Sequence, residues 1–206
     1  MSRRPVPEAP RAWQRMLSGR RLDLLDPSPL DIEVEDIAHG LARVARWNGQ
    51  TRGPHIFSVA QHSLLVEALA AAEKPDLSAA GRLVALLHDA PEYVIGDIIS
   101  PFKAVIGDRY KEIEHRLLAA IHRRFSLPVE VPAALAKAVK RADRAAAFIE
   151  ATRLAGFSVA EAERFFGRPA MAPGDIDALV APRPSDEAEV AFLARFRALA
   201  EAVETR

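Results

Sequence analysis

The chain has no cysteine among its 206 residues, so disulfides are excluded and a bound metal would need histidine and carboxylate ligands. It has no run of about 18 apolar residues, the length that a membrane-spanning helix requires. Twenty-eight basic residues balance 28 acidic ones, which leaves no positive excess to favour a nucleic-acid polymer. These absences favour a protein that acts on a small molecule, without nucleic-acid or membrane partners.

The first residues, MSRRPVPEAPRAWQRM, are charged and lack the apolar core of a secretory signal, so we expect a cytoplasmic location. The length is typical of one domain. We therefore predict a single domain over residues 1–206. Its core would cover about 35–155, with an N-terminal arm and a C-terminal helical extension packed on it.

Apolar residues recur with helical spacing along most of the chain, and β-branched residues do not alternate with polar ones over a useful length. The pattern predicts an all-α fold. Ser58 and Ser158 each precede a Gln or Glu by three residues, as in a capping box at a helix start. The predicted helices cover about 11–17, 35–46, 58–72, 78–94, 108–124, 132–154, 158–166 and 185–203.

The stretch LLHDAPEYVIGDIISPFK, residues 86–103, places His88 and Asp89 in a predicted helix that is apolar on most of its circumference. Burial of an imidazole and a carboxylate without partners is costly. His62 and Asp143 interrupt two other apolar helices in a similar way. Two imidazoles and two carboxylates carry a formal charge of minus two, which one divalent cation would cancel. We therefore predict that these four side chains converge on a metal site.

An ordered series of motifs extends over about residues 40–155: RW (46–47), VAQHS (59–63), HDAPE (88–92), GD (96–97), PFK (101–103) and KRAD (140–143). This series resembles the HD-domain metal-dependent phosphohydrolase superfamily. Within it, the chain is similar to the bacterial 5'-deoxynucleotidases, which remove phosphate from deoxyribonucleoside 5'-monophosphates. It differs from that family at Gln61, where an acidic residue is usual.

The resemblance implies an HD-domain helical bundle with the metal site in its core. One divalent cation, which could be manganese, cobalt, iron, zinc, nickel or magnesium, would be held by His62, His88, Asp89 and Asp143. Such a cation polarises a phosphoryl oxygen and activates water for hydrolysis of a phosphomonoester. The resembling family often forms dimers, so a homodimer is among the expected states.

The resemblance also assigns roles around the metal. Glu92 and Asp97 would divide the orientation of water and the protonation of the leaving oxygen, and the sequence does not say which does which. Arg46 offers a fork of donors to phosphate, and Trp47 offers a flat surface to a sugar or base. Lys103 is a further phosphate candidate.

The expected function is a metal-dependent 5'-nucleotidase that acts on ribo- or deoxyribonucleoside 5'-monophosphates. One alternative is an HD hydrolase of nucleoside triphosphates or guanosine tetraphosphate, and another is a non-catalytic nucleotide sensor. An HD-type oxygenase would need two irons and further histidine ligands. His115 and His122 lie among charged residues on one predicted helix, so we interpret both as solvent-exposed.

Overall fold

Helices dominate the computed structural model, which describes residues 11–99, 102, 105, 107–169 and 176–205 and, of residue 108, the backbone alone. The all-α prediction is confirmed, apart from one short hairpin. Within the described residues the helices are α1 (Val34–Leu41), α2 (Val59–Glu73), α3 (Ala79–Leu86), α4 (Glu92–Ile95), α5 (Asp108–Arg124), α6 (Ala133–Arg153), α7 (Val159–Phe166), α8 (Ile176–Val180) and α9 (Ser185–Glu204). Short 3₁₀ turns cover Pro29–Asp31 and Arg46–Gly49.

Helix α2 is the centre of the bundle. It packs most extensively against α6, and also against α3, α8 and α9. Its side chains are buried on all sides, which is expected of a helix that is apolar around most of its circumference. The Ser58 hydroxyl accepts a hydrogen bond from the Gln61 backbone N–H at 3.3 Å, so the helix begins where the capping pattern predicts. This start places His62 on the first turn, inside the bundle.

The helix predicted over residues 11–17 is wrong, because this segment forms a β-hairpin. Strand β1 (Trp13–Arg15) pairs antiparallel with strand β2 (Arg21–Asp23). Gly19 turns the chain at φ 89°, a conformation that glycine adopts without steric cost. The guanidinium groups of Arg11 and Arg21 lie 4.1 and 4.6 Å from the centre of the Trp13 ring. These cation–π contacts stabilise the hairpin in a segment where the helical spacing of apolar residues predicted a helix.

The single helix predicted over residues 78–94 is interrupted. Helix α3 ends at Leu86, a turn covers residues 87–91, and α4 begins at Glu92. Pro91 explains the break, since proline has no N–H to donate to the carbonyl four residues earlier and restricts the residue before it. His88 and Asp89 therefore lie in a turn, and Glu92 begins the next short helix.

The buried apolar side chains form one cluster that extends from Leu22, in the hairpin, to Leu199, in α9. Helical spacing in α9 predicts Val190 on the apolar face, but Val190 is 66% exposed and Phe192 is buried instead. Within the described part of the chain, no helix combines the length and apolar character needed to cross a membrane.

Candidate metal centre

His62 is completely buried in the first turn of α2. Its Nδ1 atom lies 2.5 Å from Glu150 Oε1, which projects from α6. A carboxylate beside Nδ1 fixes the orientation of an imidazole and leaves Nε2 free to bind a metal, as second-shell carboxylates do in many metal sites. The Nε2 atom of His62 points towards the predicted ligands.

His88 and Asp89 reach the same point from the turn after α3. His88 Nε2 lies 3.3 Å from His62 Nε2, and Asp89 Oδ2 lies 3.4 Å from His62 Nε2 and 3.2 Å from His88 Nε2. In a straight helix, neighbouring side chains would point about 100° apart. The turn instead allows His88 and Asp89 to face one centre. The interruption of the helix at Pro91 is thus part of how the site is built.

Asp143 completes the group from α6. Its Oδ1 atom lies 3.4 Å from His62 Nε2 and 4.0 Å from His88 Nε2. Ligand atoms of His62, His88 and Asp143 all lie within 4.8 Å of one another, and this cluster could hold a metal ion. The four predicted metal ligands therefore come together, from two helices and one turn.

The spacing of these atoms suits a common ion. When two ligand atoms each lie about 2.1 Å from one metal ion, the angle at the metal sets the distance between them. Octahedral and tetrahedral angles give ligand–ligand distances of about 3.0 to 3.4 Å. The separations of 3.2, 3.3 and 3.4 Å around His62, His88 and Asp89 fall in this range. The His88–Asp143 separation of 4.0 Å is somewhat longer.

The protonation of the two imidazoles also suits a cation. His88 Nδ1 lies 2.9 Å from the carbonyl oxygen of Ala85, which only accepts hydrogen bonds, so Nδ1 carries the proton. The Glu150 carboxylate favours the same arrangement in His62. In the neutral rings, both Nε2 atoms then present lone pairs to each other and to two carboxylates. Four acceptors that face one point need a positive charge between them.

The electrostatics of the centre agree with this need. Burial and the Arg46 guanidinium lower the pKa of His62, but Glu150, Asp143 and Asp89 outweigh them and raise it well above its usual value. Burial raises the pKa of the Asp89 carboxyl, but His88 and His62 hold it well below its usual range. The centre therefore favours either protonated histidine or, with neutral imidazoles, a bound cation.

Arg46 and Trp47 lie beside this centre in an unusual backbone conformation. Trp47, Asn48 and Gly49 are consecutive residues in the left-handed region, with φ of 56°, 50° and 73°. Only glycine adopts this region freely, and strain of this kind is concentrated at functional sites. The Trp47 ring packs against Phe157 and Phe166, with centroid distances of 5.6 and 5.8 Å.

Arg46 is ion-paired and mostly covered, with 14% of its side chain exposed, so it is not a free surface charge. Its Nη1 donates to Asp97 Oδ2 at 2.9 Å, and its Nε donates to Glu150 Oε2 at 3.3 Å. Trp47 Nε1 donates to the same Glu150 oxygen at 2.9 Å. A chain of contacts thus connects Asp97 through Arg46 and Glu150 to His62.

Glu92 and Asp97 occupy different surroundings. Glu92 is 2% exposed at the start of α4, so it is not a solvated surface residue. The helix predicted over residues 78–94 would have placed it on one continuous helix with His88 and Asp89, but the turn intervenes. Asp97 follows Gly96, whose φ of 76° redirects the chain, and its carboxylate is held by Arg46. Lys103 lies outside the described residues.

Glu150 is the main residue of the site that the sequence reasoning missed. It is completely buried and contacts His62, Arg46 and Trp47. The available signal was its position seven residues after Asp143, which places both on one face of α6 within the apolar run AAAFIEA. A carboxylate in such a run requires a partner, as the carboxylate of Asp143 does.

Two further polar residues differ from expectation. His122 is 2% exposed, so its interpretation as solvated is wrong, whereas His115 is exposed as expected. Gln61, which departs from the resembling family, is buried and contacts the segment between α8 and α9. Its side chain donates to Ala181 O at 2.8 Å and accepts from Arg183 N at 3.3 Å. This glutamine therefore attaches the C-terminal segment to α2.

The fold and centre together define an all-α protein with a histidine–aspartate cluster able to hold a metal ion. No family model matches the chain. It is 58% identical over 190 residues to Uncharacterized protein RCAP_rcc00048 of Rhodobacter capsulatus, and the match covers 92% of this chain and 96% of that protein. The chain belongs to the same family as this Rhodobacter protein.

A second relative matches part of the chain. Uncharacterized protein YfdR of Escherichia coli K12 is 36% identical over 98 residues, which are 48% of this chain and 49% of that protein. Neither name states an activity.

Proposed function

We propose that the protein is a metal-dependent phosphohydrolase of the HD-domain type that releases phosphate from nucleoside 5'-monophosphates. One observation carries this proposal: His62, His88, Asp89 and Asp143 direct their ligand atoms at one point from separate parts of the chain. Their charge and chemistry suit one divalent cation. Such a cation, when bound, would polarise a phosphoryl oxygen and make water a better nucleophile at neutral pH.

The carboxylates beside the centre have two further roles, proton transfer and the positioning of Arg46. Asp97 is paired with Arg46 at 2.9 Å, so its charge is already engaged in positioning the guanidinium group. Glu92 is buried close to the turn that carries His88 and Asp89. We assign Glu92 the proton transfer, from the attacking water to the leaving 5'-oxygen. Asp97 and Glu150 hold Arg46 so that its remaining donors can bind a phosphate oxygen.

A nucleotide panel tests this proposal. The metal-depleted protein should release phosphate from ribo- or deoxyribonucleoside 5'-monophosphates only after Mn²⁺, Co²⁺ or another divalent ion is added, and EDTA should abolish the release. Asp89→Ala should remove the activity. Asp76→Ala, a matched change at an exposed aspartate between α2 and α3, should retain it.

The same panel separates the alternatives. Nucleotide binding without phosphate release would favour a sensor. Turnover confined to nucleoside triphosphates or guanosine tetraphosphate would favour the other class of HD hydrolase. Either result would contradict the proposed monophosphate hydrolysis.

A further inference from the structure

The candidate metal centre is accessible from one side. His62 is completely buried, whereas the side chain of Asp143 is 40% exposed. Asp143 and His88 form part of the wall of a cavity of about 470 Å³ between α3, α5 and α6. The volume of this cavity falls in the range of pockets that take small organic ligands. A phosphate group could therefore reach the centre from the cavity.

The residues around the centre leave a phosphate group short of positive charge. Asp89 and Asp143 would cancel the charge of one divalent ion. Asp97 and Glu150 both pair with Arg46, so their two negative charges exceed the charge of the guanidinium group by one. A phosphate monoester adds about 1.5 to 2 negative charges at pH 7. Its binding would therefore be favoured by a further cationic side chain on the accessible side.

Lys140 is a cation in the required place. Among the described residues that line the cavity, Lys140 alone is a lysine or arginine. It is exposed and lies three residues before Asp143, so the two residues share one face of α6. Arg46 is not part of the cavity lining. Lys140 and Arg46 could thus approach different oxygens of one phosphate group.

We propose that Lys140 is a substrate-binding residue and that its ammonium group binds the phosphate of the nucleotide beside the metal centre. The inference rests on the proposed function and adds to it a second cation that holds the substrate. A lysine ammonium is a compact charge with three donors on a flexible stem, and it binds phosphate as a point charge. Val84, Leu118 and Val139 contribute apolar side chains to the wall and offer the phosphate no donor.

Calorimetric titration of inorganic phosphate into the Mn²⁺-loaded protein tests this role without turnover. Lys140→Met keeps an unbranched side chain but removes the charge. Phosphate should bind about tenfold more weakly to this variant than to the wild type, because one charge-assisted hydrogen bond is lost at an exposed position. Lys140→Arg, which restores a positive charge, should bind phosphate within about threefold of the wild type.

Two comparisons separate phosphate binding from a structural role. Lys137→Met, at an exposed lysine of α6 outside the cavity lining, should bind phosphate as the wild type does. The Mn²⁺ affinity of Lys140→Met should not fall, since Lys140 is not a predicted ligand. If Mn²⁺ affinity falls in this variant, or if Lys137→Met weakens phosphate binding equally, the inference is overturned.

The titration also separates this inference from the proposed function. Unchanged phosphate affinity in Lys140→Met would overturn the role of Lys140 and leave the nucleotidase proposal standing. If the Mn²⁺-loaded wild type binds no phosphate, both are overturned. Weaker phosphate binding in Lys140→Met, with no nucleotide hydrolysed by the wild type, would support Lys140 as a phosphate-binding residue and overturn the nucleotidase proposal alone.

Discussion

Glu92→Gln should lower the turnover of the preferred nucleotide by about 10²- to 10⁴-fold, the usual contribution of a general acid–base group. Glutamine has nearly the same shape as glutamate but cannot accept and return the proton. Glu92 is buried beside the turn that carries His88 and Asp89, and it is not among the four predicted metal ligands. Steady-state kcat should therefore fall, whereas the affinity for the divalent ion should stay within a few-fold of wild type.

The matched control for this experiment is Glu187→Gln, an exposed position in the first turn of α9. It should have wild-type turnover. If Glu92→Gln retains turnover within about threefold, Glu92 does not transfer the proton. Loss of divalent-ion binding in this variant would instead place Glu92 among the ligands.

Glu150→Gln should have two effects, on folding and on metal binding. Removal of one partner from a buried ion pair costs about 3–5 kcal/mol. Glu150→Gln takes one carboxylate away from Arg46, and among the described residues Asp97 is the carboxylate still paired with it. The free energy of unfolding in urea, measured with EDTA, should fall by this amount. Loss of a carboxylate behind a ligating histidine typically weakens metal affinity about 10- to 100-fold, so Mn²⁺ should bind less tightly.

Glu67 provides a close control for the second effect. It is buried and pairs with Arg82 and Arg195, between α2, α3 and α9. Glu67→Gln should also destabilise the protein, but metal affinity should not change because Glu67 does not contact the predicted ligands. If Glu150→Gln and Glu67→Gln have the same metal affinity as wild type, Glu150 is a structural residue and does not tune the centre.

The sequence predicts most of the helices because their apolar faces and caps are local features. The Ser158 capping box is present, with both the hydroxyl and Glu161 making their expected hydrogen bonds, and α6 ends within one residue of its predicted end. The Trp13 hairpin was missed because its stabilising contacts come from arginines whose spacing follows neither the helical repeat nor the alternation of a strand. The break after Leu86 was missed because an apolar run outweighed the signal of Pro91.

The predicted ligands stand out in the sequence because each places a polar side chain in a segment that is predicted as an apolar helix. Glu150 satisfies the same criterion, but its partners, His62, Arg46 and Trp47, lie about 90 to 100 residues away along the chain. His122 was misread for a different reason. Its neighbours in sequence are charged, yet the loop at Pro128 folds back and covers the ring. Such burial depends on tertiary packing, so the residues next to His122 in the sequence give no signal of it.

Titration of Mn²⁺ into the metal-depleted protein by calorimetry tests whether the four side chains form a metal centre. We predict one ion per chain in the wild type, no binding in Asp143→Ala, and one ion in the control Asp76→Ala, with all three proteins showing the same helical circular dichroism. If the folded wild type binds no divalent ion, or if Asp143→Ala still binds one with unchanged affinity, the four side chains do not form a metal centre.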